Sequence, residues 1–192
     1  MKPLHSKKKR TTLNEAQMFI KKGHGSGMKS EDYISNTQRN EIVSKVGAEL
    51  LEVVKRRFPR TANLEYAILK GHLIIEYALT QYIRCSSYVL VEIDNINFSF
   101  SKKLEISILM GFGNGDPTLI PSIELFNKLR NQVAHKFEIN KNLVDEIIRL
   151  NCDEEWLIDL NDRTRIRCLK AFCASICGRI LGAIEAKVFL LI

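Results

Sequence analysis

Leu125-Phe126-Asn127-Lys128-Leu129-Arg130-Asn131-Gln132-Val133-Ala134-His135 is the one stretch that sets an arginine, an amide and a histidine together inside an otherwise apolar helical pattern. With Ile123 in front, its apolar residues Phe126, Leu129 and Val133 recur every three or four positions, which is one face of a helix. Successive residues turn by about 100°, so Asn131 and His135 project roughly 40° apart on one face. Arg130 is one step round from Asn131, and its long side chain reaches the same spot. An arginine, an amide and a histidine therefore converge near a helix C-terminus. A guanidinium offers a planar fork of donors to phosphate, and a neutral imidazole takes up a proton near pH 7. Those groups suffice to cut RNA without a metal. The plainer reading is a polar helix end, with Arg130 and His135 capping exposed carbonyls.

Outward from this stretch the same period recurs. Its own helix is expected over 118–135, with Pro121 in the first turn, where a missing N–H costs nothing. Upstream, the spacing predicts helices over 40–58, 63–84 and 101–110, the last closed by Gly111 and the turn Gly113-Asn114-Gly115-Asp116-Pro117. Downstream it predicts 143–150, a short helix over 153–159 around Trp156, and a long helix over 162–189. Residues 85–100 read as a loop or short helical segment with Phe98 and Phe100 packing inward. The expected fold is an all-α bundle of about five to six helices. No internal repeat, phosphate-binding glycine loop or nucleotide-binding fingerprint appears.

Within the helix at 63–84, His72 and Glu76 are four apart and share a face. They can be an ordinary surface pair, or a histidine satisfied in the core. Yet Glu76 interrupts a very apolar run, and a carboxylate is rarely buried there unless a cation meets it. Arg130 is a candidate for that cation. On the helix at 162–189, Arg163, Arg165, Arg167, Lys170 and Arg179 read mostly as a solvated face.

The 192 residues fit one domain, 40–192, preceded by a basic tail, 1–39. The net charge of +7 is unevenly placed: residues 1–40 hold nine Lys or Arg and three acids, a net of +6, which leaves +1 for residues 41–192. Attraction to nucleic acid is therefore expected from Lys7, Lys8, Lys9 and Arg10, and locally from Lys128 beside Arg130. The tail reads as flexible, with a short helix over 13–22 conceivable on Asn14, Ala16, Met18 and Phe19. Cys85, Cys152, Cys168, Cys173 and Cys177 show no paired short spacing, so neither a metal site nor a cofactor is expected. No apolar run approaches the ~20 residues that span a bilayer, and the basic start lacks the apolar segment of a secretory signal. Both absences point to the cytoplasm and to no membrane partner.

Arg130-Asn131-x-x-x-His135 resembles the R-x4-H motif of the HEPN superfamily, including the polar residue after the arginine. Gly71-His72-Leu73-Ile74-Ile75-Glu76 resembles the GH-x-x-IE segment of its mannitol-operon-repressor-like and toxin-type branches. Phe98-Ser99-Phe100-Ser101-Lys102-Lys103 and the Gly111 turn follow in the same order, so the resemblance covers about residues 60–140. It implies a HEPN-like helical bundle that pairs as a homodimer, with two motifs facing across the two-fold axis. It further implies a metal-independent endoribonuclease of toxin or anti-phage defence type. In that scheme RNA is the substrate, and an antitoxin or defence-system protein is a partner. His135 would be the general acid/base, Arg130 would stabilise charge on the scissile phosphate, and Asn131 would hydrogen-bond His135 or the substrate. His72 and Glu76 would support them. Other members of the superfamily cut nothing and serve as regulatory or interaction modules, which is the alternative here. Some toxin-branch members carry a tyrosine two residues after the histidine that a partner enzyme modifies with AMP. This chain has Phe137 there, with no hydroxyl to modify.

Overall fold

The computed structural model describes residues 35–87, 97–135, 139–151 and 160–189. The basic run at 7–10, the expected helices at 13–22 and 153–159, Cys152, Phe137 and most of the expected loop lie outside them. Six helices follow one another among the described residues: α1 Asn36–Arg57, α2 Leu64–Ser86, α3 Phe100–Leu109, α4 Leu119–His135, α5 Lys141–Asn151 and α6 Asp162–Phe189. Among the described residues there is no strand, so the described fold is all-α. No helix among them is long and apolar enough to cross a membrane.

The first helix begins at Asn36, four residues before the expected start at 40. Ser35 Oγ accepts from the Gln38 amide at 3.3 Å, while Gln38 Oε1 accepts from the Ser35 amide at 3.0 Å. This reciprocal capping box satisfies two otherwise orphaned donors. Residues 36–39 thus belong to the helical body and not to the tail, and Arg39 is buried, with its guanidinium donating to Ser87 O.

Helix α2 runs through the middle, packed against α1, α3, α4 and α6. Asn63 caps it, accepting from the Tyr66 amide at 2.8 Å. Ala67, Ile68, Ile75, Ala78 and Leu79 are wholly buried, but Leu73 of the apolar pattern is 54% exposed and Ile74 takes an inward position. Gly71 is a point of close approach. A Cβ there would stand 3.0 Å from Cys173 Sγ of α6 and 3.1 Å from Phe126 Cζ of α4. Phe126 in turn meets Phe172 edge-on, with ring centroids 5.3 Å apart.

Between α3 and α4 the chain turns on glycines with positive φ, Gly111, Gly113 and Gly115. At Gly113 a Cβ would also stand 2.7 Å from Ile120 Cγ1, whereas at Gly115 it would meet nothing within 4 Å. Left-handed backbone costs an ordinary residue about 1–3 kcal/mol. Gly113→Ala is therefore expected to lower the unfolding free energy measured by urea denaturation by at least that amount, and by more than Gly115→Ala does. Equal losses would show that Ile120 moves aside freely. Beyond the turn, Asp116 Oδ1 accepts from the Thr118 and Leu119 amides and starts α4. Asp116 also pairs with Arg179 of α6.

Arg165 corrects the expectation of a solvated basic face on α6. Its guanidinium forks onto Asp145 of α5 at 2.7 and 2.9 Å, with both side chains largely buried. Cys85, Cys168, Cys173 and Cys177 are buried. Burial pushes the Cys85 thiol up to about 11 and the Cys177 thiol up to about 12, so these act as small apolar side chains.

Candidate functional site

Helix α4 presents its polar residues because its apolar side is taken up by the core. Ile123, Phe126 and Leu129 are wholly buried. That orientation leaves Asn131 and His135 exposed, one turn apart, at the helix C-terminal end. Arg130 is half-buried between the two sides, and its Nη1 donates to Asn131 Oδ1 at 3.2 Å. The convergence read from spacing is therefore present for Arg130 and Asn131, with His135 on the same exposed face. Lys128 is exposed as well.

His72 has a different role from Arg130 and His135. It is buried at 3% exposure, stacked on Phe100 of α3 with ring centroids 4.2 Å apart. Its Nε2 lies 3.0 Å from Asn127 Oδ1, and Asn127 Nδ2 donates to Ser101 Oγ at 3.3 Å. The amide nitrogen of Asn127 turns toward Ser101 and its oxygen faces the ring, accepting from Nε2 in the tautomer that carries the proton there. One histidine of α2 thus ties α3 to α4, one turn ahead of Arg130.

Burial pushes the His72 pKa below its ordinary value. The Asn127 hydrogen bond offsets part of this, and the Arg130 charge adds to the lowering. The folded state therefore binds fewer protons here than the unfolded chain, where a histidine titrates near pH 6.5. His72 accordingly removes stability as pH falls below about 6.5 and contributes no such slope above it. Melting temperature is expected to drop between pH 7.5 and pH 5, and the drop is expected to shrink in His72→Gln. An identical slope in the variant would assign it to other groups.

Glu76 meets a cation, but not Arg130. Its Oε1 lies 2.8 Å from Lys103 Nζ of α3, with both side chains largely buried. The expectation that Glu76 orients Arg130 directly is therefore replaced. Glu76 and His72 hold α3 against α2, and Asn127 links that assembly to the turn of α4 that bears Arg130. Asn127, Ser101 and Lys103 were not singled out from spacing. Asn127 did carry a signal, since it is four residues before Asn131 and so on its face of an otherwise apolar helix.

Among the described residues no group of three His, Cys, Asp or Glu side chains is arranged to hold a metal. The available chemistry is that of an exposed imidazole, a guanidinium and an amide on one helix end. Comparison with known proteins adds no relative: no family model, curated protein or solved structure matches the chain significantly.

Proposed function

We propose that this protein is a metal-independent endoribonuclease of the HEPN type, acting as a pair of copies that bring two α4 ends together. The observation that carries the reading is the Arg130–Asn131 hydrogen bond beside exposed His135 on the last turns of α4. In the reaction a ribose 2′-oxygen bonds to the adjacent phosphorus and the bond from phosphorus to the 5′-oxygen breaks. His135 of one copy takes the 2′-hydroxyl proton, and His135 of the other supplies a proton to the leaving 5′-oxygen. Arg130 neutralises the charge that grows on the phosphate, and Asn131 holds the guanidinium in place. A toxin or anti-phage role in the cytoplasm, held in check by a partner protein, fits such an activity.

The test is incubation of purified protein with total RNA in EDTA. Fragments ending in 2′,3′-cyclic phosphate are expected, and RNA left intact over hours overturns the reading. A second reading, a regulatory module that binds without cutting, is favoured by the +1 net charge of residues 41–192, because a nuclease groove is usually basic. Tight retention of RNA or of a protein partner with no cleavage would select it.

A further inference from the structure

On α1 and α6, away from the polar end of α4, the surface holds an apolar groove of about 370 Å³. Its aliphatic side comes from Leu50, Leu51 and Val54, and its other wall from Ala171, Ala174 and Gly178. Leu51 is 61% exposed, although large apolar side chains of α1 elsewhere turn inward. Ala171, Ala174 and Gly178 are exposed along one line of α6, and a Cβ on Gly178 would meet nothing within 4 Å. Small residues in a row let a second helix axis come close, because side-chain size sets the interaxial distance.

The rim is charged on one side of the balance. Lys55, Arg167 and Lys170 line the groove. Arg56 and Arg163 stand exposed on the same stretches of α1 and α6. Among the described residues Glu52 is the acid beside Lys55 and Arg56, shared between them in exposed pairs. Exposed pairs of this kind are weak and screened, so the rim keeps a positive field.

We propose that this groove is a docking site for an acidic amphipathic helix of a partner protein. Apolar side chains at i, i+3 or i+4 and i+7 fill the space over Leu51, Ala174 and Gly178. Glu or Asp residues flanking them meet Lys55 and Lys170. The site does not suit a second copy of the chain. A two-fold interface sets one patch against itself, which would press these cations together. Nor does it suit single-stranded nucleic acid, because among the described residues no aromatic side chain lines it for bases to stack on.

The probe is a fluorescein-labelled helical peptide of about 20 residues, roughly 30 Å long, with a leucine stripe and flanking glutamates. Anisotropy with the full chain is expected to show saturable binding that weakens with salt. Binding is expected to fall at least about tenfold in Leu51→Asp and in Gly178→Leu, the loss typical of an interface anchor. Both positions are exposed, so melting temperature checks that each variant folds. A lysine-for-glutamate version of the peptide is expected to bind at least as much more weakly. Absence of saturable binding, or binding indifferent to both variants, overturns the proposal. A Leu51→Asp variant that halves the particle mass in sedimentation would assign the groove to a second copy instead. One that loses RNA retention without changing peptide binding would assign it to nucleic acid.

Discussion

His135→Ala is expected to lower EDTA-resistant RNA cleavage by about 10²- to 10⁴-fold, the range that removal of a positioned general acid or base produces. The size follows from the chemistry. Without the imidazole no group on this turn takes the 2′-hydroxyl proton or supplies one to the leaving oxygen. In the proposed mechanism Arg130 and Asn131 still hold the phosphate, so the loss is expected to fall on kcat. His135 is exposed at the end of α4, outside the core, so the melting temperature is expected to stay that of the parent. Full activity in a folded His135→Ala protein would remove the nuclease reading. Loss of activity together with loss of folding would not count in its favour, which makes the melting curve part of the result.

The largest stability loss is expected at Phe126. Phe126→Ala should cost about 3–5 kcal/mol, the usual toll of deleting a buried aromatic ring and leaving a cavity. Phe126 is wholly buried, sits against Gly71 of α2, and meets Phe172 of α6 edge-on. Its ring centroid is also 6.5 Å from that of His72. Three helices therefore lose their common contact at once, and collapse into the space is resisted by Gly71, which has no side chain to move. Because domains are stable by only about 5–15 kcal/mol in total, such a variant stands close to unfolding. Urea denaturation measures it, and a loss under about 1 kcal/mol would show that the α2–α4–α6 contact repacks. The His72–Asn127 bond crosses the same contact, so the pH slope assigned to His72 is expected to weaken as well.

Much of this arrangement was open to reading from residue spacing, and the misses share a cause. The helix periods placed α2, α3, α4 and α6 within a few residues, because burial of one face imposes the apolar repeat. Spacing alone puts the start of α1 late, since its first turn is polar and only the Ser35-x-x-Gln38 pattern marks it. The partner of Glu76 was out of reach: Lys103 is 27 residues away, and no local rule selects it over Arg130. Arg165 looked like a solvated cation for the same reason, its acid being 20 residues earlier on α5. Leu73 satisfied the apolar pattern yet faces outward, because hydropathy does not say which side of a helix a neighbour will cover.

Local physics in the chain therefore settled the helices, the turn at the glycines with positive φ, and the Arg130–Asn131–His135 face, all of which depend on contacts within a few residues. It also placed the excess of positive charge in residues 1–40, which is a matter of counting. Packing settled the rest. Whether His72 is a reactive or a buried histidine depended on Phe100 and Asn127 arriving from other helices. Which carboxylates became paired depended on where α3, α5 and α6 lie. The open groove between α1 and α6 is likewise a product of two faces brought side by side. Each of these is a long-range contact, and the free energy that selects it comes from burial of the whole core and not from any segment alone.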